Sequence, residues 1–419
     1  MDPHRQDAPD AARERHARLD ALTRDPYPLY DRARAAEGLT FVPEFDAWLV
    51  ARDADVREVL RRPDDFSSAN VLRGDVRPSP AALAVLGGGF GGAGVVVNSD
   101  GAAHRRLRAP LVRALSAARV AKLVPYVRER AEALVESFAA RGRVELMEAY
   151  ARRLPGEVVG KLVGLDPADV PRAVHGGYQA ERLLFRPLDE AAQVAAAEDV
   201  VAMQRVMDGY VRDRRAAPRD DLCTELVAAL APGPADQPLT LEQRHELVAQ
   251  LQNFLLAGHL TTTALTGTTV LHLLRSPDRW KLLTEEPARI PAAIEEAARY
   301  DTAVQAFRRT TTRDVSLAGT ELAEGSTLLV AFGAAGRDAA RHPRPADFDV
   351  ERQQNGRHLA FGLGVHGCVG ELLAREQLRI TLELLTRRLP GLRLADDRPA
   401  VTMRPTLIHR APEALHLTW

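Results

Sequence analysis

Apolar residues along this chain recur mostly at helical spacing, and only a few short stretches alternate as strands do. Residues 1–24 are polar and read as an arm; DPYPLYDRARAAEG, from Asp25, predicts a turn and a short helix. Residues 39–42 and 47–50 predict a strand pair, and 54–61 a helix stopped at Pro63. Between Asn70 and Asp100 periodicity is lost. Pro78, Pro80 and the run LGGGFGGAGVVV predict an irregular loop there. Helical spacing then returns, with amphipathic runs over 120–140, 191–215 and 221–231. Thr240 and Gln243 form a candidate capping box, and no proline follows until Pro277. A helix of roughly 35 residues, about 50 Å long, is predicted through the middle of the chain. Residues 302–338 have strand character with a turn at Ala318 and Gly319, and a proline-rich coil leads to a further helix after Gly370. Short strands close the chain from Leu392.

A length of 419 residues with 46% apolar content allows a large core, and by itself two or three domains. The formal net charge of −1 offers no electrostatic case for nucleic acid or for an anionic membrane. No apolar run reaches about 18 residues, and MDPHRQDAPDAARERHARLD lacks the apolar centre of a leader peptide, so a cytoplasmic protein is expected. The two cysteines stand in unlike contexts, which argues against a disulfide and for a reducing compartment. Cys223, in RDDLCTELVAA, reads as a packed thiol at the start of a helix.

Cys368 is different. Gly362, Gly364, Gly367 and Gly370 surround it in FGLGVHGCVG, and glycine lets a flat ligand approach the backbone closely. The sulfur precedes a helix N-terminus, where free N–H groups and the helix dipole favour a thiolate. One cysteine serves zinc or an iron–sulfur cluster poorly, whereas haem iron needs one protein ligand. On residue types alone, a packed cysteine in a glycine-rich turn remains the alternative. In the central helix, LLAGHLTTTALTGTT sets small Ala257 and Gly258 before three threonines that can bond back to the preceding turn, which opens a groove or marks a helix crossing. His104 and Arg108, four apart on one helical face, suit a carboxylate or form a solvated basic face.

FGLGVHGCVG followed by LAR resembles the haem-thiolate signature of the cytochrome P450 family. The resemblance covers roughly residues 25–419 as one domain and rests on four signatures in order. It implies a mostly α fold with small β-sheets, and haem b (iron protoporphyrin IX) between the long central helix and the cysteine-loop helix. Cys368 would then be the iron ligand, with Phe361 beside the sulfur and Gly362 and Gly370 shaping the loop. Thr261, with Ala257 and Gly258 before it, takes the place of the family's dioxygen-bonding threonine. His104, Arg108, Arg309 and His358 resemble the residues that hold the haem propionates; Arg308 competes with Arg309, since alternate strand residues share a face. Glu296 and Arg299 resemble the family's structural ion pair. Leu86, Val97, Leu256, Val304, Phe307 and Thr406 are the expected substrate contacts, with residues 86–97 as a lid.

The implied activity is hydroxylation or epoxidation of a largely apolar small molecule, free or carrier-bound, in secondary metabolism. No flavin or iron–sulfur motif is present, so a ferredoxin and its reductase are the expected electron donors to a monomer. Leu260 departs from the family pattern, which has Asp or Glu there, and leucine has no proton to give. Oxidative coupling, ring formation, desaturation or peroxide-driven oxidation is the alternative, with proton delivery through water or His259 as one way around the loss. A non-catalytic scaffold is a further alternative, against which the retained Cys368 and Thr261 speak. Gly336 stands where relatives have asparagine, and Ala303 where many have proline.

Overall fold

The computed structural model describes residues 7–352 and 358–419; the last part of the predicted proline-rich coil and the first residues of the predicted arm lie outside them. Helix α1 (Asp7–Arg24) occupies most of the expected arm. Its end is anchored, because Leu19 is buried and Arg24 bonds Glu413 at 2.8 Å and the Met403 carbonyl at 2.7 Å. Next come α2 (Tyr27–Ala35), the pair β1 (Thr40–Val42) and β2 (Ala47–Val50), α3 (Asp53–Arg61) and β3 (Phe66–Ser67), close to the predicted bounds.

The glycine-rich loop holds one short helix, α4 (Pro80–Leu86), which the sequence pattern did not predict. Ser79 caps it: its hydroxyl accepts the Ala82 N–H at 3.2 Å, and Pro80 supplies a helical φ at the first position. Then follow α5 (Gly101–Ala114), α6 (Ala117–Ala139), β4 (Arg143–Glu145), α7 (Arg153–Val163), α8 (Val170–Phe185), α9 (Glu190–Ala216) and α10 (Leu222–Leu230). The central helix α11 (Leu241–Leu274) starts at the predicted box, with Thr240 and Gln243 each accepting the other's backbone N–H, at 3.2 and 2.9 Å. It is buried on nearly all sides from Leu247 onward, with α7, α8, α9, α13 and α15 all packed on it.

The remaining elements are α12 (Pro277–Glu285), α13 (Ile290–Tyr300), β5 (Phe307–Thr311), β6 (Val315–Leu317), β7 (Thr320–Leu322), β8 (Thr327–Val330), α14 (Phe332–Ala335), α15 (Glu371–Arg388), β9 (Arg393–Leu394) and β10 (His416–Thr418). The larger sheet has the order β1-β2-β8-β5-β3, with β2 and β8 parallel. Ala318 and Gly319, both at positive φ, make the predicted turn between β6 and β7. The fold is thus mostly α with small β-sheets.

The expected ion pair fastens the coil before the cysteine loop. Glu296 binds Arg299 through two bonds of 2.7 Å, and Arg299 also donates to the carbonyls of Gly336, Pro345 and Asp347. This explains the departure at Gly336, where a Cβ would lie 2.3 Å from the Arg299 carbonyl oxygen.

Candidate functional site

The cysteine loop enters α15 through a narrow turn. Gly362 and Gly364 sit at φ +71° and +72°, and a Cβ on Gly364 would lie 2.8 Å from the Leu60 carbonyl of α3. The Cys368 N–H donates to the Phe361 carbonyl at 2.8 Å, and Gly370 is the N-cap of α15. Cys368 is accessible to a water-sized probe, yet desolvation is the main influence on its thiol and raises its pKa, opposed by the Gly370 N–H, Arg108 and Arg375. The sulfur therefore lines a recess within the fold. Cys223 is the contrast: it is fully buried on α10, and burial pushes its thiol up to about 12, as expected of a packed thiol.

Along α11, accessibility opens where the threonines predict it. Ala257 is exposed and Leu256, Gly258 and Thr261 are half-buried, although the flanking Leu255, Leu260 and Thr262 are buried. Ala257 and Thr261 share a face, and Thr261 Oγ1 donates to the Ala257 carbonyl at 2.6 Å. Gly258 shows the helix crossing, one of the two readings of its small side chain. Its Cβ would meet Val159 at 2.6 Å, so glycine there permits the crossing of α7 over α11.

His259 does not reach the Ala257–Thr261 face. Two residues before Thr261, it lies about 200° away around the helix. Its Nδ1 pairs with the Leu255 carbonyl at 2.7 Å and its ring lies against Tyr178 of α8. Desolvation pushes its pKa down to about 4, leaving a neutral imidazole that is not a proton donor at neutral pH. Leu260 is 1% exposed.

Basic groups converge at a third place. His104 on α5 is buried, its Nε2 has no hydrogen-bond partner among the described residues, and its ring lies 4.2 Å from that of His366. His366 Nε2 is 3.0 Å from Ser68 Oγ and 3.6 Å from Asp100. Arg309, 6% exposed, donates to the Arg308 carbonyl at 2.8 Å but has no ion pair among the described residues; desolvation lowers its pKa to about 10, opposed by Asp100. Arg308 points the other way, into an ion pair with Asp75, so strand alternation selects Arg309. Arg108, one turn beyond His104, donates to the Gly367 carbonyl at 2.6 Å. A buried guanidinium without a carboxylate, beside an unpartnered imidazole nitrogen, suits the acid groups of a porphyrin. The residues present therefore fit haem.

His358 lies elsewhere. Its Nε2 meets Glu295 at 3.1 Å, and Glu295 also binds Arg375 at 2.6 Å; burial would raise the Glu295 carboxyl, but His358 and Arg375 outweigh it and hold it at about 2. His358 is thus a structural partner of α13 and α15, and the histidine that joins His104 and Arg309 is His366, which sequence reasoning missed. Its signal was its position, two residues before the cysteine. Phe361 packs between His358 and Arg375, whose guanidinium stands 4.4 Å from the ring centroid.

The expected substrate contacts divide. Leu86 and Leu256 pack against the large helical core, while Val304 and Phe307 pack with Leu363 on the sheet side. Val97 is half-buried, and Thr406 is buried with its hydroxyl accepting the Ile408 N–H at 3.2 Å within its own loop. The loop over residues 79–96 is held down by three amide side chains: Gln193 accepts from Ser79 N at 2.6 Å, Gln204 from Phe90 N at 2.8 Å and Gln250 from Val96 N at 3.2 Å. Among the described residues no helix is long and apolar enough to cross a membrane.

Known proteins of one family resemble this chain in sequence and fold. The Cytochrome P450 family model matches residues 183–390. The chain is 32% identical over 418 residues to Cytochrome P450 107B1 of Saccharopolyspora erythraea, covering 96% of this chain and 95% of that protein. It is 34% identical over 380 residues to Mycinamicin IV hydroxylase/epoxidase of Micromonospora griseorubida, covering 89% and 90%. Among solved structures, cytochrome P450 CREJ in complex with (4-ethylphenyl) dihydrogen phosphate superposes with a TM-score of 0.87 at 29% identity, over 95% of this chain and 98% of that one. Likeness over nearly the whole length, joined to a cysteine loop and basic groups that fit the cofactor, makes this chain a bacterial member of the cytochrome P450 family, a haem-dependent monooxygenase.

Proposed function

We propose that this chain holds haem through Cys368 and hydroxylates or epoxidises a largely apolar small molecule. The observation that carries this reading is the accessible Ala257–Thr261 turn in the interior of α11, which leaves room for a reactant beside a hydroxyl. When bound, haem supplies the activation of O₂, with two electrons and two protons consumed for each oxygen atom inserted. The Gly370 N–H and the start of α15 favour the Cys368 thiolate. Arg309, His104, Arg108 and His366 would hold the acid groups of the porphyrin. Thr261 Oγ1 already donates to Ala257, so it must release that bond before it can donate to a reactant. Leu256, Val304 and Phe307 offer apolar surface to the substrate. Relatives carrying the names Mycinamicin IV hydroxylase/epoxidase and Vitamin D(3) 25-hydroxylase support oxygen insertion. Electrons would come from a ferredoxin and its reductase.

A second reading, oxidative coupling, ring formation, desaturation or peroxide-driven oxidation, is favoured by one observation. Neither residue directly before Thr261 offers a proton: Leu260 has none, and His259 is neutral and turned toward α8. Turnover of an apolar substrate panel with ferredoxin, reductase and isotopically labelled O₂ separates the two. Products that gain one labelled oxygen support the first reading. Products that lose two hydrogens without gaining oxygen, or that form with hydrogen peroxide alone, replace it by the second.

A further inference from the structure

A cleft of about 870 Å³ lies between α6, α7 and α8, and Cys368, Ala257, Thr261, His104 and Arg309 are not among its walls. Val170, Pro171 and Val174 of α8 give it an apolar stretch, with Tyr126, Glu129 and Arg130 of α6 and Arg153 and Glu157 of α7 also in its walls. One end gathers Arg152, Arg182 and Arg186 with Arg404 from the C-terminal loop.

Accounting for the carboxylates around that end leaves it short of negative charge. Glu148 pairs with Arg152, Glu181 with Arg404, and Glu413 with Arg24 at 2.8 Å. Glu157, farther along, takes Arg130 at 2.8 Å. Arg182 donates to the neutral Gln179 at 2.8 Å, and among the described residues neither it nor Arg186 has an ion pair. Among the described residues Arg186 Nε is buried without a hydrogen-bond partner. The Tyr178 ring stands 5.7 Å from the Arg152 guanidinium and 5.6 Å from that of Arg404. Desolvation, then the charge of Arg404, lowers the pKa of Arg186, against the opposing charges of Glu181 and Glu413. Crowded, dehydrated cations are costly unless an anion joins them.

We propose that this cleft is an oxyanion site for a small organic phosphate or carboxylate, with Arg182 and Arg186 on the charged group and Val170, Pro171 and Val174 against the apolar body. Guanidinium forks match the two oxygens of such groups, and the volume suits a small organic ligand. A ligand there ties α8 to the segments carrying Arg152 and Arg404. The Leu184 carbonyl of the same helix accepts the Asp75 N–H at 2.8 Å, so occupancy also steadies the loop that follows β3.

The test is calorimetric titration of the haem-loaded protein with phenyl phosphate at low ionic strength, with benzoate as the carboxylate probe and phenol as the neutral comparison. The Soret band is recorded in parallel. Phenyl phosphate is expected to bind more tightly than phenol, with a Kd of roughly 1 mM or below and no Soret shift. Arg182→Gln combined with Arg186→Gln weakens binding roughly tenfold or more, and exposed Arg313→Gln leaves it unchanged. In the wild-type chain, which needs no variant to fold, phenyl phosphate slows amide exchange in α8. Binding no tighter than that of phenol, binding that survives the double substitution, a Soret shift that survives it, or unaltered exchange in α8 would each overturn the proposal.

Discussion

Glu296 and Arg299 face each other through two hydrogen bonds of 2.7 Å, with side chains 1% and 0% exposed. Arg299 is also the donor that gathers the carbonyls of Gly336, Pro345 and Asp347. Arg299→Ala leaves a buried carboxylate with Arg352 as its remaining cation, at 3.1 Å, and takes the Arg299 donor from the Gly336 and Pro345 carbonyls, while Arg352 still donates to that of Asp347 at 3.0 Å. The expected cost is about 3–5 kcal/mol, read from urea unfolding of the haem-loaded protein. A loss below about 1 kcal/mol would show that the pair holds little.

Gln204 is expected to act as a tether for the glycine-rich loop. Its Oε1 accepts the buried Phe90 N–H, and Gly89 is glycine because a Cβ there would stand 2.2 Å from that oxygen. Gln204→Leu strands the Phe90 N–H, at about 1–3 kcal/mol. Amide exchange over residues 79–96 should quicken while that of α15 stays slow. Equal effects on both would mean that the loop is not separately held.

How much of this was legible in the sequence depended on how local each cause was. The capping box at Thr240 is a matter of four residues and emerges as read, and strand alternation between Arg308 and Arg309 shows as one arginine paired with Asp75 and the other turned away from it. The loop glutamines were invisible, because Gln204 and Gln250 satisfy backbone groups 114 and 154 residues away. The histidine beside His104 was missed for the same reason. His358 and His366 are alike in type and nearness to Cys368, and what separates them is that Glu295 takes one while Ser68 and His104 meet the other. Gly258 left both readings open because a helix crossing and a reactive groove ask for the same small residue.

Acid should remove the contributions of His259 and Glu181 in turn. Burial depresses the pKa of His259 to about 4, below the 6.5 of an unfolded histidine, so the unfolded chain binds the extra proton and stability falls as pH drops below about 6.5. Glu181 follows: burial would raise it, but His409 and Arg404 hold it at about 2 against 4.5, so its contribution is present above that reference and is lost as pH falls toward 2. Between pH 7 and pH 5 the His259 share is about 2 kcal/mol. His342 and His366, also lowered to about 4 by burial, add to the slope there, so His259→Asn should lessen but not abolish the fall in unfolding free energy over that interval, and a variant with the wild-type slope would contradict the assignment.

Leu260 sets the fate of reducing equivalents if proton supply limits the reaction. Leu260→Glu places a carboxyl at a buried position one residue before Thr261. The ratio of organic product to NADPH consumed, measured with peroxide release, should change from that of the wild type. An identical ratio in both proteins would mean that this position does not govern proton delivery here.

The central claim is that Cys368 is the haem ligand, and the absorption spectrum of the reduced, carbon monoxide-treated protein tests it most directly. The account predicts the strongly red-shifted Soret band of a thiolate-ligated ferrous carbonyl, lost in Cys368→Ala while other cysteine chemistry, at Cys223, is untouched. A wild-type protein that binds haem but shows an imidazole-like band, or a Cys368→Ala protein that keeps the shifted band, would contradict it.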